Sequence, residues 1–95
     1  MMQIYKVIVE AFEKPPIFYE PARQSLKAWV IYCLRDRGFK VIYDQNADFA
    51  IEQGRERNKL CFKVTDDPID LDPKFAWIVW DSKNRTVSLT LPKVN

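Results

Sequence analysis

The chain has no histidine in its 95 residues, and only two cysteines and two glycines. The missing histidine removes the commonest general base, the Ser-His and Cys-His nucleophile systems, and the usual zinc ligand set. Two cysteines alone do not complete a structural zinc site. Cys33 and Cys61 sit among apolar neighbours on different predicted elements. They are expected to pack as small hydrophobes, with a bridge between them left open. No Gly-rich phosphate loop and no G-x-S-x-G occurs. Charge of one sign is not in excess either: the net charge is +2, which neither demands nor excludes a polyanionic partner.

Long apolar runs are also lacking. No segment approaches the roughly 20 residues that span a bilayer. The opening "MMQIYKVIVEAFEKPP" carries a lysine within its run and glutamates after it. It lacks the positive region and small-residue cleavage site of a signal peptide. The expectation is an intracellular, cytoplasmic chain with no membrane partner.

What is present is apolar material: 47% of residues are hydrophobic and 14% aromatic. That is enough for one domain over residues 1–95. Residues 3–12, "QIYKVIVEAF", are rich in β-branched side chains and read as a strand covered on both faces. Pro21 to Arg37 reads as a helix, with Pro21 at its first position and Gly38 just past its end. Ala22, Leu26, Trp29, Val30, Cys33 and Leu34 share one face of it. Strands follow at residues 39–43, 48–53 and 59–65, the last two joined by a basic turn containing Arg55 and Arg57. "DDPIDLDP" reads as an acidic loop bounded by prolines. Residues 75–81 and 86–91 read as a second hairpin.

The fold class is α+β: one helix, about residues 21–37, packed on a largely antiparallel sheet of about six strands in the order β-α-β-β-β-β-β. One helix covers only part of such a sheet. The remainder must fold over or be covered by a second copy, hence the expectation of a homodimer.

Several constellations bear on chemistry. Helix, "GFKVIY", "ADFAIE" and "KLCFKV" follow one another over roughly residues 22–65. This order resembles the core of the PD-(D/E)XK nuclease superfamily. The resemblance implies an acid at the start of the second strand and an acid-x-lysine on the third, converging on a metal ion. Asp48 and Lys63 match by position, and Glu52 shares the strand face of Asp48. Cys61 departs from the pattern, because a thiol is a poor ligand for a hard cation. The acidic loop also replaces the helix that should follow the third strand.

Arg23, Lys27 and Arg35 form a basic stripe spanning about 18 Å of helix, fit to track a phosphate backbone. The alternative is a solvated helix edge whose long stems cover the core rim. "KFAWIVWDSKNR" places Trp77 and Trp80 on opposite sides of a strand. With Lys74, Lys83 and Arg85 they offer a stacking surface for single-stranded nucleic acid, or an anchor for a protein partner. Asp66, Asp67, Asp70 and Asp72 lack the spacing of a calcium loop and read as turn and cap residues.

The function expected from these features is non-catalytic nucleic-acid binding, through Arg23, Lys27, Arg35, Lys74, Trp77, Trp80, Lys83 and Arg85. No cofactor or metal is expected. The alternative is a protein-interaction module or homodimeric adaptor or inhibitor. A lesser alternative is a degenerate nuclease using Asp48, Glu52 and Lys63.

Overall fold

Ile4, Tyr5, Ile8, Ala11 and Phe12 recur at helical spacing and form the inward stripe of α1 (Ile4–Glu13). Lys6 and Glu13 lie exposed on the opposite side. The expected strand at residues 3–12 is thus a helix. Ile4, Val7, Ile8 and Val9 raise β propensity, but such preferences are small beside burial of one helical stripe. Pro15 and Pro16 end α1, since the residue before a proline is biased away from helical backbone. The structure is a computed structural model and describes residues 4–53 and 58–92. The basic turn with Arg55 and Arg57 lies outside the described residues.

The second helix, α2, is shorter than the sequence reading, running over Leu26–Asp36. Residues 21–24 form a turn, in which Arg23 and Gln24 N–H groups donate to the Glu20 carbonyl. Ser25 has extended backbone, and its hydroxyl accepts from Ala28 N–H at 3.1 Å, so it caps the helix in place of Pro21. At the other end Gly38 takes φ +98°. Its N–H donates to Arg35 and that of Phe39 to Leu34, closing the last turn.

Five strands follow: β1 (Val41–Ile42), β2 (Phe49–Gln53), β3 (Asn58–Thr65), β4 (Ala76–Asp81) and β5 (Thr86–Thr90). They lie in the order β1-β2-β3-β4-β5. Three pairings are antiparallel, but β3 and β4 are parallel, with Phe62 opposite Ala76 and Lys63 opposite Trp77. The protein is a small α+β domain: two helices on a five-stranded mixed sheet.

Both helices cover one face of the sheet. There Phe49, Ile51, Phe62, Ala76 and Ile78 meet Ile8, Phe12, Trp29, Val30 and Leu34. α1 lies over β5 and α2 over β3 and β1. α1 therefore supplies the cover that the sequence reading assigned to a second copy. Val87 and Leu89 turn inward at the rim, while Thr86, Ser88 and Thr90 are exposed. Trp29 is only 2% exposed, and its ring N–H donates to the Ile17 carbonyl at 3.0 Å. Truncating such a residue to alanine costs about 3–5 kcal/mol. On the other face, part of the cover is residues 66–75, the connection that carries the chain from β3 to β4. Trp77 donates its ring N–H to the Asp72 carbonyl at 2.9 Å there. Among the described residues, no helix is long and apolar enough to cross a membrane.

Candidate functional site

Four separate pieces of chain meet beside the buried Trp29. They are the end of α1, the segment linking the helices, α2, and the end of β4 with its following turn. Between them is a cleft of about 330 Å³, walled by Phe12, Pro15, Phe18, Tyr19, Trp29 and Trp80, with Glu13 and Arg85 at its lip. Such a volume is at the small end of the roughly 300–1,000 Å³ of ligand pockets. It suits one or two planar rings better than a length of folded chain.

The rings brace one another. Trp29 and Trp80 are 5.5 Å apart between centroids and nearly perpendicular, as are Tyr19 and Trp80 at 5.2 Å. Phe12 and Tyr19 tilt against Trp29 at 5.6 and 5.4 Å. Edge-to-face pairs of this kind hold rings in place beyond their area burial. Phe18 is different: it is 78% exposed. It also lines an adjoining hollow with Ile17, Glu20, Arg23 and Gln24, so it stands as a ridge between Arg85 on one side and Arg23 on the other.

The turn that presents Arg85 is built by Asp81. Its carboxylate accepts from Lys83 N–H at 2.9 Å, Asn84 N–H at 3.3 Å and the Asn84 side-chain amide at 2.8 Å. The bonds from Asn84 hold the Asp81 carboxyl below its ordinary range, with smaller help from Lys83. Arg85 itself has φ +56°. Glycine or asparagine takes this left-handed backbone more cheaply than arginine. Arg85 therefore carries local backbone strain, as does Asp70 at φ +57° in the β3–β4 connection.

Of the basic stripe expected along the helix, α2 carries Lys27 and Arg35 but not Arg23. Arg23 is on the preceding turn and pairs with Glu20 at 3.0 Å. Lys27 faces Asp48 at 3.9 Å, and Arg35 donates to the Val41 carbonyl at 3.3 Å. Trp77 and Trp80 do face opposite sides of the sheet. Trp80 joins the cleft, whereas Trp77 lines a separate hollow of about 400 Å³ with Pro68, Leu71, Phe75 and Leu91. Lys74 and Lys83 are exposed, and their main-chain N–H groups bond to Asp72 and Asp81. Of the eight residues singled out for nucleic acid, the cleft gathers Trp80 and Arg85, with Arg23 in the adjoining hollow.

Asp48, Glu52 and Lys63 each have other engagements. Asp48 holds the end of the β2–β3 ladder: its N–H donates to the Phe62 carbonyl at 3.0 Å, and its carboxylate accepts from Val64 N–H at 2.7 Å. Glu52 pairs with Lys40 at 3.2 Å. The Lys63 ammonium lies 4.7 Å from the Phe75 ring centroid and 5.7 Å from that of Trp77. Among the described residues, no three His, Cys, Asp or Glu side chains gather closely enough to hold a metal ion. Both cysteines are free. Cys33 belongs to the core on the helix side. Cys61 pairs with Ala50 and points to the other face of the sheet. Burial, with Asp36 adding to it, pushes the Cys33 thiol up to about 12. Burial and then Asp44 push Cys61 up as well, against an opposing effect of Lys59.

Phe12, Phe18, Tyr19 and Trp29 were not singled out as site residues by sequence reasoning. The available signal was "PPIFYEP", an aromatic pair enclosed by prolines in a connecting segment. Compared with protein families, with curated proteins and with solved structures, the chain matches none, so its functional reading rests on the cleft itself.

Proposed function

We propose that the protein is a non-catalytic binding module that takes a base of single-stranded nucleic acid into the aromatic cleft. One observation carries the reading: a ring-walled cleft of about 330 Å³ has an arginine, held in left-handed backbone, at its lip. Aromatic walls accept the π-face of any base, and the guanidinium meets the adjoining phosphate. Phe18 extends the stacking surface toward Arg23, an exposed guanidinium that would exchange its Glu20 partner for the backbone. Glu13, the carboxylate at the lip, is an acceptor for an exocyclic amine.

Anisotropy of a labelled single-stranded oligonucleotide tests this. Binding is expected in the micromolar range at low salt, with a log–log salt slope of about −0.7 per phosphate contacted. Phe18→Ala is expected to weaken it by about 1–3 kcal/mol, the worth of a stacking platform. Arg85→Ala is expected to reduce both affinity and slope. No binding up to about 100 μM, the weak end of non-specific affinities, refutes the reading. The exposure of Phe18 favours a second reading, a protein-interaction module with Phe18 as its anchor. Loss of a protein partner on Phe18→Ala, with no oligonucleotide bound by the parent, selects that one.

A further inference from the structure

The two edges of the sheet differ. At one edge β1 is only two residues long, a length too short to template another strand. At the other, β5 presents five residues, Thr86–Thr90, with no charge and no proline among them. Among the described residues, its main-chain groups make no hydrogen bond outside the β4–β5 ladder. Sheet edges of this kind are ordinarily defended by lysine, proline, a bulge or a covering loop.

The sequence of the edge says what pairs with it. "TVSLT" reads alike in both directions about Ser88: Thr86 matches Thr90, and Val87 matches Leu89. We infer that β5 pairs antiparallel with the β5 of a second copy about a two-fold axis at Ser88, joining two sheets into one. In that register Thr86 faces the partner's Thr90, Val87 the partner's Leu89, and Ser88 the partner's Ser88. β-branched and apolar cross-strand pairs result, and no like charges are opposed. An isologous contact requires this self-complementarity.

The pairing sets a condition on the helices. The axis runs perpendicular to the sheet, so both helical layers stay on one side. α1 packs against β5, so the two α1 helices come to lie flank to flank only where each is set back from the axis far enough to leave the roughly 8–10 Å between packed helices. Val7, half-buried and outside the core cluster, is available to that contact. Each Arg85 is three residues from the axis, so the two arginines stand about 20 Å apart along the strands. The inference does not depend on what the cleft binds.

Sedimentation equilibrium of the whole chain tests it. Ser88 is exposed, so charge is tolerated there in a single copy, but it brings like charges face to face across the axis. The parent is expected at twice the chain mass. Ser88→Glu and Ser88→Lys are each expected at the single mass with unchanged circular dichroism, and an equal mixture of the two returns to the double mass. A monomeric parent overturns the inference. So does a dimer that both substitutions leave intact, which would place the contact elsewhere. Failure of the mixed variants to associate overturns the two-fold at Ser88.

Discussion

Replacing Asp48 by alanine separates a structural role for this carboxylate from a catalytic one. In the structure it takes the place of a main-chain carbonyl, accepting Val64 N–H at 2.7 Å where the β2–β3 ladder ends. A hydrogen bond to a charged group contributes about 1.5–3 kcal/mol. The Lys27 pair, at 3.9 Å with side chains 53% and 33% exposed, adds no more than about 0.5 kcal/mol. Asp48→Ala is therefore expected to cost about 2–3 kcal/mol. For a chain of this size that lowers Tm by about 8–24 °C, at 4–8 °C per kcal/mol. Asp48→Asn keeps an acceptor and should cost about half as much, while Lys27→Ala should cost less than about 0.5 kcal/mol. Urea unfolding followed by tryptophan fluorescence and circular dichroism measures all three, with the slope m unchanged if only the native state is affected. A stability for Asp48→Ala within about 0.5 kcal/mol of the parent, the range of inert surface changes, would refute a structural role for this carboxylate. A cost for Lys27→Ala equal to that of Asp48→Ala would instead make the ion pair the stabilising contact.

Further outcomes follow from the same geometry. Arg85→Gly should raise stability by about 1 kcal/mol, by relieving left-handed backbone, while weakening oligonucleotide binding; a loss of stability would contradict the strain argument. Thiol alkylation followed by mass spectrometry should leave Cys33 unmodified in the native protein at mildly alkaline pH. Its thiol is raised to about 12, so almost no thiolate is present, and rapid native-state labelling would contradict this. Asp81 has a folded pKa below its ordinary 3.8, so its contribution is fully present above that value and is lost as pH falls through the lower folded one. The stability difference between the parent and Asp81→Asn should accordingly be constant near neutrality and shrink below about pH 4; a difference that widens on acidification would contradict the assignment.

β3 and β5 were legible in the sequence because they carry alternation that one buried face enforces, as in Leu60, Phe62 and Val64 or Val87 and Leu89. α1 was not. Four β-branched residues in ten favour a strand locally, and only the spacing of Ile4, Ile8, Ala11 and Phe12 carried the helical signal. The parallel pairing of β3 and β4 was hidden as well. A connection of ten residues is close to the dozen or so a crossover needs, and composition does not say whether it turns back or crosses. For the site, residue type was informative and partnership was not. Lys27, Arg35 and Lys63 look like free cations in the sequence, yet their partners, Asp48, the Val41 carbonyl and the Phe75 ring, lie on other elements. Trp80 and Arg85 were visible, but the walls around them come from chain as distant as Phe12.

The seating of α1 on β5 has a consequence for how the chain is made. About 70 residues separate the two elements. At 5–20 residues per second, α1 leaves the ribosome roughly 4–14 s before the strand it rests on. Throughout that interval Ile4, Tyr5, Ile8, Ala11 and Phe12 have no finished seat, although the β1–β2–β3 meander and α2 can already form from local contacts. α1, made before every strand it packs on, thus completes its seat only when β5 arrives. A nascent chain stalled before Thr86 would leave the β5-facing part of that stripe exposed, a substrate for chaperones that the finished protein no longer is.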